Sequence, residues 1–503
     1  MGAVATRVGG ATQRFVRRAV LPRLTSSSWR EEAGFVVATL ALLVFMVRVL
    51  GAGWPGQFKI FFPDSFSFMR AAKLTPFSPA FYAAERPIAF PTLLFLLGRS
   101  TVVTVVVQTF LYGLAYLFAA VTVCRLLRFN LARIVGVVLV LSLAIEPRFA
   151  LWNTHILSES LGMTLAALSV VSWWRFSATP SIRRLNWAGL ATVGWLTVRD
   201  SNVPPWLAVG VPALLLGSFL WRSADRKLRR ALWIWAAVTL VVGIGVALTQ
   251  SANGRNRYAT MNNVGLRVLP NPEMTQWFVD HGMPLDHALK ERTGRSSFDD
   301  SWDMLLSPDL VEFRAWADGS GQRTMLLSYA RFARHYTNEL YDDLPGLLRS
   351  TYTAYDAFGV GQRLPGPPPF QIAGPTTRPG LALWTLIAVV GIALAAVRRR
   401  RVQATVLGLL LLSSFVDLYM AYVGDSVEVQ RHLVGPLSRM SLVMLICLSV
   451  GVDCLVEIAR RRQPLAAGDE PDLIEPEEPE SEAPAPDDDE RTDATADLED
   501  ATL

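Results

Sequence analysis

Four short polar segments stand out in an otherwise apolar chain. The first runs Phe61-Phe-Pro-Asp-Ser-Phe-Ser-Phe68 and is followed by Arg86-Pro87 and Phe90-Pro91. A carboxylate at Asp64 pressed against aromatics would be partly stripped of water, which raises its proton affinity toward what a general base needs. The competing reading is local, because Asp64-Ser65-Phe66 is also the pattern of a helix N-cap. The second segment, His155-Ile-Leu-Ser-Glu-Ser-Leu161, spaces His155 and Glu159 four apart and so predicts that they share a helix face. An ionisable group that far into an apolar run is by default a candidate for an internal role; headgroup contact is the plainer alternative. The last two segments carry cations: Arg199-Asp200-Ser-Asn202 and Asp425-Ser-Val-Glu-Val-Gln-Arg-His432. Glu428 can neutralise Arg431 or His432 within one turn. Alternatively Arg199, Arg431 and His432 line a cavity and hold a lipid phosphate, for which the planar donor fork of arginine is suited.

The elements that must position these groups are membrane spans. Apolar residues make up 51% of 503 positions, mean hydropathy is +0.31, and the apolar residues cluster in runs too long for one soluble core. A span needs roughly 20 apolar residues to cross about 30 Å of hydrocarbon. Runs of this kind lie near 33–53, 101–123, 134–146, 156–176, 185–199, 203–221, 231–249, 380–397, 402–423 and 437–458. The expected fold is therefore all-α, a polytopic membrane bundle of about ten spans, eleven as the upper count. Two runs, 134–146 and 185–199, are short enough to be tilted or broken. Arginine clusters fall at alternate connections: Arg125, Arg128 and Arg133; Arg175, Arg183 and Arg184; Arg222 to Arg230; Arg398 to Arg401; Arg460 to Arg462. With cations retained inside, this alternation predicts cytoplasmic N- and C-termini in a cell (inner) membrane and puts all four polar segments outside.

The expected layout is a basic cytoplasmic arm over 1–32, a first membrane module over 33–250 with an outer loop at 54–100, a mainly helical outer cap over 251–379, further spans over 380–458, and an acidic cytoplasmic tail over 459–503. The cap mixes Phe313, Trp316, Tyr329, Phe332 and Tyr336 at helical spacings and closes on the proline-rich stretches 364–370 and 374–380. The tail is rich in Pro, Glu and Asp and poor in large apolar residues, so it is expected to be disordered. Its 16 carboxylates against Arg491 leave an excess of about 20 positive charges on the rest of the chain. Orientation accounts for that excess better than nucleic acid does, and nucleic acid is not an expected partner. No cleaved signal peptide is read at the start. Cys124, Cys447 and Cys454 fall in or beside apolar runs and suggest neither disulfides nor a metal centre.

The pattern Asp64, Phe68, Ala71 and Ala72 in the first outer loop, then Arg86-Pro87 and Phe90-Pro91, then Ser158-Glu159 at the outer start of a later span, and finally a late basic pair, resembles the GT-C superfamily of membrane glycosyltransferases. The resemblance covers mainly 33–200, with support from 424–440. It implies a sugar on a polyprenyl phosphate as donor, a glycan or glycolipid as acceptor, membrane lipids as partners, and an active site open to the outside. Carried onto this chain, Asp64 becomes the general base, with Glu159 orienting the acceptor or the surroundings of Asp64. Arg199, Arg431 and His432 hold the donor phosphate, while His155, Trp277 and Trp316, with Trp302, become acceptor contacts. Several members carry an adjacent acidic pair where this loop has one clear Asp. Cofactor need is therefore unknown: a divalent metal is compatible with the reading, yet no cluster here has metal-ligand spacing. Mannose and arabinofuranose are donors used in the family, and the sequence does not choose between them.

Three rival readings use the same features. A transporter or flippase of lipid-linked sugars would explain spans and intramembrane charge, but no internal repeat is detected and the outer segment is long for that class. A lipid-linked glycan polymerase or ligase would place its decisive cations in the large loop, where Arg255, Arg257 and His335 are available. The third is a non-catalytic membrane scaffold.

Overall fold

A computed structural model of the protein describes residues 62–76, 78–220, 225–349 and 374–461. The expected first span at 33–53, the basic arm, the proline-rich stretch 364–370 and the acidic tail lie outside the described residues.

Every regular element among the described residues is helical. After α1 (Pro63–Ala71) and α2 (Ala89–Leu96) come α3 (Thr101–Leu126), α4 (Asn130–Ala144), α5 (Ser158–Ala178), α6 (Ile182–Val198), α7 (Asp200–Phe219) and α8 (Arg226–Ala252). Six helices are long and apolar enough to cross a membrane: α3, α7, α8, and later α13 (Arg378–Val397), α14 (Arg401–Gly424) and α15 (Val429–Arg461). A seventh crossing is reached if α4 and the segment Arg148–Thr154 count as one span bent by 51°. The bend sits at Glu146-Pro147, where proline removes a backbone donor and disfavours a helical residue before it. This is a multi-pass membrane protein, because in hydrocarbon a backbone can satisfy its own polar groups only by closing helices or barrels.

The expected spans at 156–176 and 185–199 fall on the helices α5 and α6, and neither is among the six long and apolar enough to cross a membrane. The second is 17 residues long. The first carries Ser158, Glu159, Ser160, Ser169 and Ser172, and nearly all of it is buried against α3, α6 and α14. A helix walled off by other helices has no lipid to match, so its composition can be polar, and small residues let neighbours approach. The same logic joins α13 to α15. A Cβ at Gly391 would lie 2.2 Å from the carbonyl oxygen of Cys447, so the two backbones meet there. Of the α15 window, 67% is buried, against 22% for α13, so α15 is the axis of the bundle and α13 its flank.

Between α8 and α13 lies the cap, helical as expected. It includes α9 (Asn256–Asn263), α10 (Pro272–Asp280), α11 (Gln322–Arg331) and α12 (Ala333–Arg349). Its core gathers Met274, Phe278, Phe313, Trp316 and Tyr336. Arg267 latches it to the end of α14, donating to Glu339 at 3.0 Å and to the Tyr422 carbonyl at 3.0 Å while lying 4.5 Å from the Tyr422 ring centroid. Asn263 donates to the Val423 and Gly424 carbonyls, and the Tyr422 hydroxyl donates to Asp343 at 2.6 Å. The latch caps the orphan carbonyls at the C-terminus of α14.

Candidate functional site

At the cap end of the bundle, five helix termini come together: the starts of α5, α7 and α15 and the ends of α6 and α8. Three helix starts aim backbone N–H groups and positive dipole ends at the region between them, a favourable setting for an anion.

Asp64 sits at the second position of α1, after Pro63. It is not the N-cap that the local pattern allowed. That role passes to Phe62, whose backbone N–H is taken by the Ser65 hydroxyl at 2.9 Å. Freed from capping, the Asp64 carboxylate accepts from Arg86 and, at 2.8 Å, from Arg431. Arg86 also donates to the Ser67 hydroxyl. The aromatics around Asp64 serve as platforms for these cations: Arg86 lies over Phe68 at 4.8 Å and Arg431 over Phe62 at 5.3 Å. Burial pushes the Asp64 pKa up, but the guanidiniums of Arg431, Arg86 and Arg255 outweigh it and hold the carboxyl well below the usual carboxylate range. The expected rise in basicity is thus reversed in this state. Arg86 itself is lowered to about 10 by burial and by the neighbouring Arg255 and stays charged at neutral pH.

Arg431 is the hub. Its Nε donates to Glu159 at 2.7 Å, and its two terminal nitrogens reach Glu428 at 2.7 Å and Asp64 at 2.8 Å. The local Glu428 to Arg431 pair therefore exists together with the longer-range ones. Glu428 adopts a left-handed φ of 52°, a conformation costing a non-glycine residue about 1 kcal/mol or more. Glu159 is 1% exposed, lies 4.0 Å from Arg199, and has one carboxylate oxygen without a hydrogen-bond partner among the described residues. Arg199 donates to Nδ1 of His432 at 3.0 Å, which makes that imidazole nitrogen an acceptor. Asp200 pairs with Arg255 at 3.6 Å. These side chains line a narrow cleft of about 20 Å³, opening between α1, the start of α5, the α6–α7 junction and the start of α15. Four guanidiniums, Arg86, Arg199, Arg255 and Arg431, meet four carboxylates, Asp64, Glu159, Asp200 and Glu428.

Five of the eight residues expected at the site, Asp64, Glu159, Arg199, Arg431 and His432, line or build this cleft. The other three do not reach it. His155 and Glu159 do not share a helix face, because α5 begins only at Ser158 and His155 is in extended backbone after a tight turn over Leu151–Thr154. The His155 imidazole is fully buried against Phe62 and Trp152. Trp316 is packed in the cap core, stacked on Phe313, and Trp277 stacks on His281 and meets Phe332 edge-on. The side chain of Trp302 lies outside the described residues. Arg86 and Arg255 are the functional candidates that residue spacing alone did not assign. Arg86 had a signal, a cation in the first outer loop beside a proline. Arg255 had been offered only for a loop-based site, and of that set Arg257 pairs instead with Asp318 and His335 is exposed on Tyr336.

Among the described residues, no three His, Cys, Asp or Glu side chains converge in a way that could hold a metal ion. No protein-family model matches the chain, and no curated protein is detectably similar to it.

Proposed function

We propose that the protein is a membrane glycosyltransferase of GT-C type that moves a sugar from a polyprenyl-phosphate donor to a glycan or glycolipid acceptor on the outer face of a cell membrane. The observation that carries this reading is the meeting of Asp64, Glu159, Arg199 and Arg431, drawn from positions 64 to 431, in one cleft at one end of the bundle. In this proposal α5, α6 and the bent α4 segment are spans, and the run at 33–53 completes ten. Both termini are then cytoplasmic and the cleft faces out.

The chemistry asks little covalent work of the protein. The bond from the sugar C1 to the phosphate oxygen breaks with its electron pair leaving on the polyprenyl phosphate. The acceptor oxygen bonds to C1, and its proton passes to a base. In the resting cleft Asp64 is held by two guanidiniums and is a poor base. The donor phosphate competes for those same arginines; as it takes Arg431 and Arg86, Asp64 is released to accept the proton of the acceptor hydroxyl with its basicity restored. Arg199 and Arg255 complete the phosphate cradle, and His432 fixes Arg199. Glu159, buried beneath Arg431, keeps that guanidinium in place while its other partners exchange. With its ion pairs closed the cleft has a volume of only about 20 Å³, so the donor phosphate makes its room by displacing carboxylates from the arginines, with the polyprenyl chain left in lipid.

One observation favours the polymerase or ligase reading as the second choice: Arg255 follows α8 at the entry to the cap and lines the cleft, the kind of loop cation that reading requires.

The test is Asp64→Asn in purified protein supplied with a polyprenyl-phosphate sugar. Transfer should fall at least about a hundredfold, the usual span of a lost general base, when assayed well below the variant's thermal midpoint, which should itself drop because Arg86 and Arg431 lose a carboxylate partner. Transfer at close to the parental rate would remove Asp64 as the base and with it the central support for this function.

A further inference from the structure

The end of the bundle opposite the cleft carries a second cationic cavity that the proposed transfer does not use. It lies between α7 and α8 and is lined by Ser218, Phe219, Arg226, Arg229, Arg230 and Trp233, with a volume of about 370 Å³ open to the surface. Asp200 at the start of α7 belongs to the cleft, so Phe219, nineteen residues on, sits about 28 Å away at 1.5 Å per residue. The two sites therefore belong to opposite membrane faces.

Arg226, Arg229 and Arg230 fall at positions i, i+3 and i+4 and present three like charges on one helix face, an arrangement that repels itself. Among the described residues no carboxylate lines the cavity, and the adjacent Asp225 accepts from the Lys227 N–H at 3.0 Å. None of the three makes an ion pair among the described residues, and Arg229 Nε is buried there without a hydrogen-bond partner. Four other arginines at this end of the bundle are satisfied by the protein itself. Arg400 pairs with Asp453 at 2.9 Å, and Arg398 pairs with Glu457. Arg133 donates to the Leu127 carbonyl at 2.8 Å, and Arg184 to the Thr179 carbonyl at 2.7 Å. The α8 triad differs from them in leaving its donors turned into an open cavity.

The rim identifies the kind of ligand. Phe219 and Trp233 are 57% and 47% exposed and stand edge to face at 5.7 Å. Leu216 and Ile234, one turn deeper on α7 and next to Trp233 on α8, are also exposed. Aromatics at the headgroup level with aliphatic side chains below them match a molecule that is anionic at one end and hydrocarbon at the other. Arginines beside such a rim match the phosphate of a membrane lipid. We propose that this cavity is a binding site for the headgroup of an anionic phospholipid. Arg226, Arg229 and Arg230 take the phosphate, and the acyl chains run down the outer surface of α7 and α8.

The experiment uses the full chain in detergent and in phosphatidylcholine nanodiscs with and without phosphatidylglycerol. Native mass spectrometry counts retained lipid, and the thermal midpoint is read in parallel. The parent should retain phosphatidylglycerol in preference to phosphatidylcholine and melt at a higher temperature with it. The triple variant R226Q/R229Q/R230Q should lose that preference, with affinity falling about fivefold for each arginine neutralised. The pair Arg183→Gln and Arg184→Gln, which removes charge from another connection at the same end, should leave it intact. An equal loss in both variants would reduce the effect to general surface charge and overturn the site. If the triple variant does not insert, Arg229→Gln alone is read the same way, and unchanged preference in it overturns the proposal. Inorganic phosphate is the third arm: if phosphate displaces phosphatidylglycerol at equal concentration, the cavity is a free-anion site and the lipid assignment fails.

Discussion

Arg431 and Arg439 lie on the same helix, eight residues and about 12 Å apart, and do opposite things with the same side chain. Arg431 faces three carboxylates, Asp64, Glu159 and Glu428, in a cleft that also holds Arg86, Arg199 and Arg255. Arg439 faces one, Asp417 at 3.3 Å, and completes its shell with the Ser413 hydroxyl at 2.5 Å and the Trp195 ring at 4.5 Å. Both arginines are buried, and Arg431 lines the cleft. A guanidinium matched to one acid, one hydroxyl and one ring has no capacity left for a ligand. A guanidinium shared among three acids that have other arginines to turn to can exchange one of them for a phosphate. The difference is between a brace and a site, and it separates the two better than intramembrane charge alone, which both possess.

The largest effect should come from the brace. Arg439→Met leaves Asp417 unpaired in the bundle interior and should cost about 3–5 kcal/mol of stability, seen as a steep fall in thermal midpoint in detergent. Combining it with Asp417→Leu removes both charges. The double variant should recover most of that loss and retain transfer activity. A folded double variant without activity would break the comparison, because Arg439 would then serve the reaction.

The site should respond the other way. Arg431→Gln is expected to lower transfer by about 10²–10³, the range for removing one donor to a developing charge, with a smaller loss of stability because Asp64 keeps Arg86 and Glu159 keeps Arg199. Equal losses of stability at Arg431 and Arg439 would erase the distinction. A finer cut is Arg255→Gln, which removes the cap's cation from the cleft and should raise the donor KM about tenfold while kcat changes little, as loss of uniform binding does. A kcat effect as large as that at Arg431 would favour the loop-centred polymerase or ligase reading.

How much of this was legible in the chain divides along the same line. The apolar runs gave α3, α7, α8, α13, α14 and α15, because lipid imposes length and hydropathy residue by residue. α5 was legible as an apolar run with polar interruptions, yet the reason those interruptions are tolerated, burial on all sides, belongs to its neighbours. The bend after α4 had its sign in Pro147. At the site, residue type singled out Asp64, Glu159, Arg199 and Arg431, which line one cleft, because charge beside a long apolar run is rare and costly. What residue type did not convey was partnership. Asp64 meets Arg86, 22 positions away, and Arg431, 367 away, and these pairings turn an expected base into a guarded one. His155 failed for a local reason: its spacing to Glu159 is helical only if the helix starts three residues earlier than it does.

Asp425 gives the smallest and most direct test of the rule that guanidinium count sets the behaviour of a carboxylate here. It lies between α14 and α15, outside both spans, and its carboxylate accepts from the Val427 N–H at 3.0 Å and from Asn262 at 3.0 Å. Burial raises its pKa to about 6; those hydrogen bonds and the more distant Arg255 offset only part of the rise, and Glu428 adds to it. Asp64, with two guanidiniums in contact, is shifted the opposite way. The two carboxylates therefore make opposite contributions to stability as pH changes. Asp64 stabilises the fold above the ordinary carboxylate pKa, and that contribution is lost as pH falls through its depressed value. Asp425 binds its proton more tightly when folded, so its contribution is most favourable below 3.8 and declines as pH rises through about 6. Asp425→Asn mimics the protonated form and keeps an acceptor for Val427. It should raise the thermal midpoint at pH 7.5, by the equivalent of about 1 kcal/mol after solvent screening, and leave it nearly unchanged at pH 4. A gain of the same size at both pH values, or a loss at pH 7.5, would mean that Asp425 is ionised and satisfied without a guanidinium, and the rule drawn from Arg431 and Arg439 would not extend beyond those two positions.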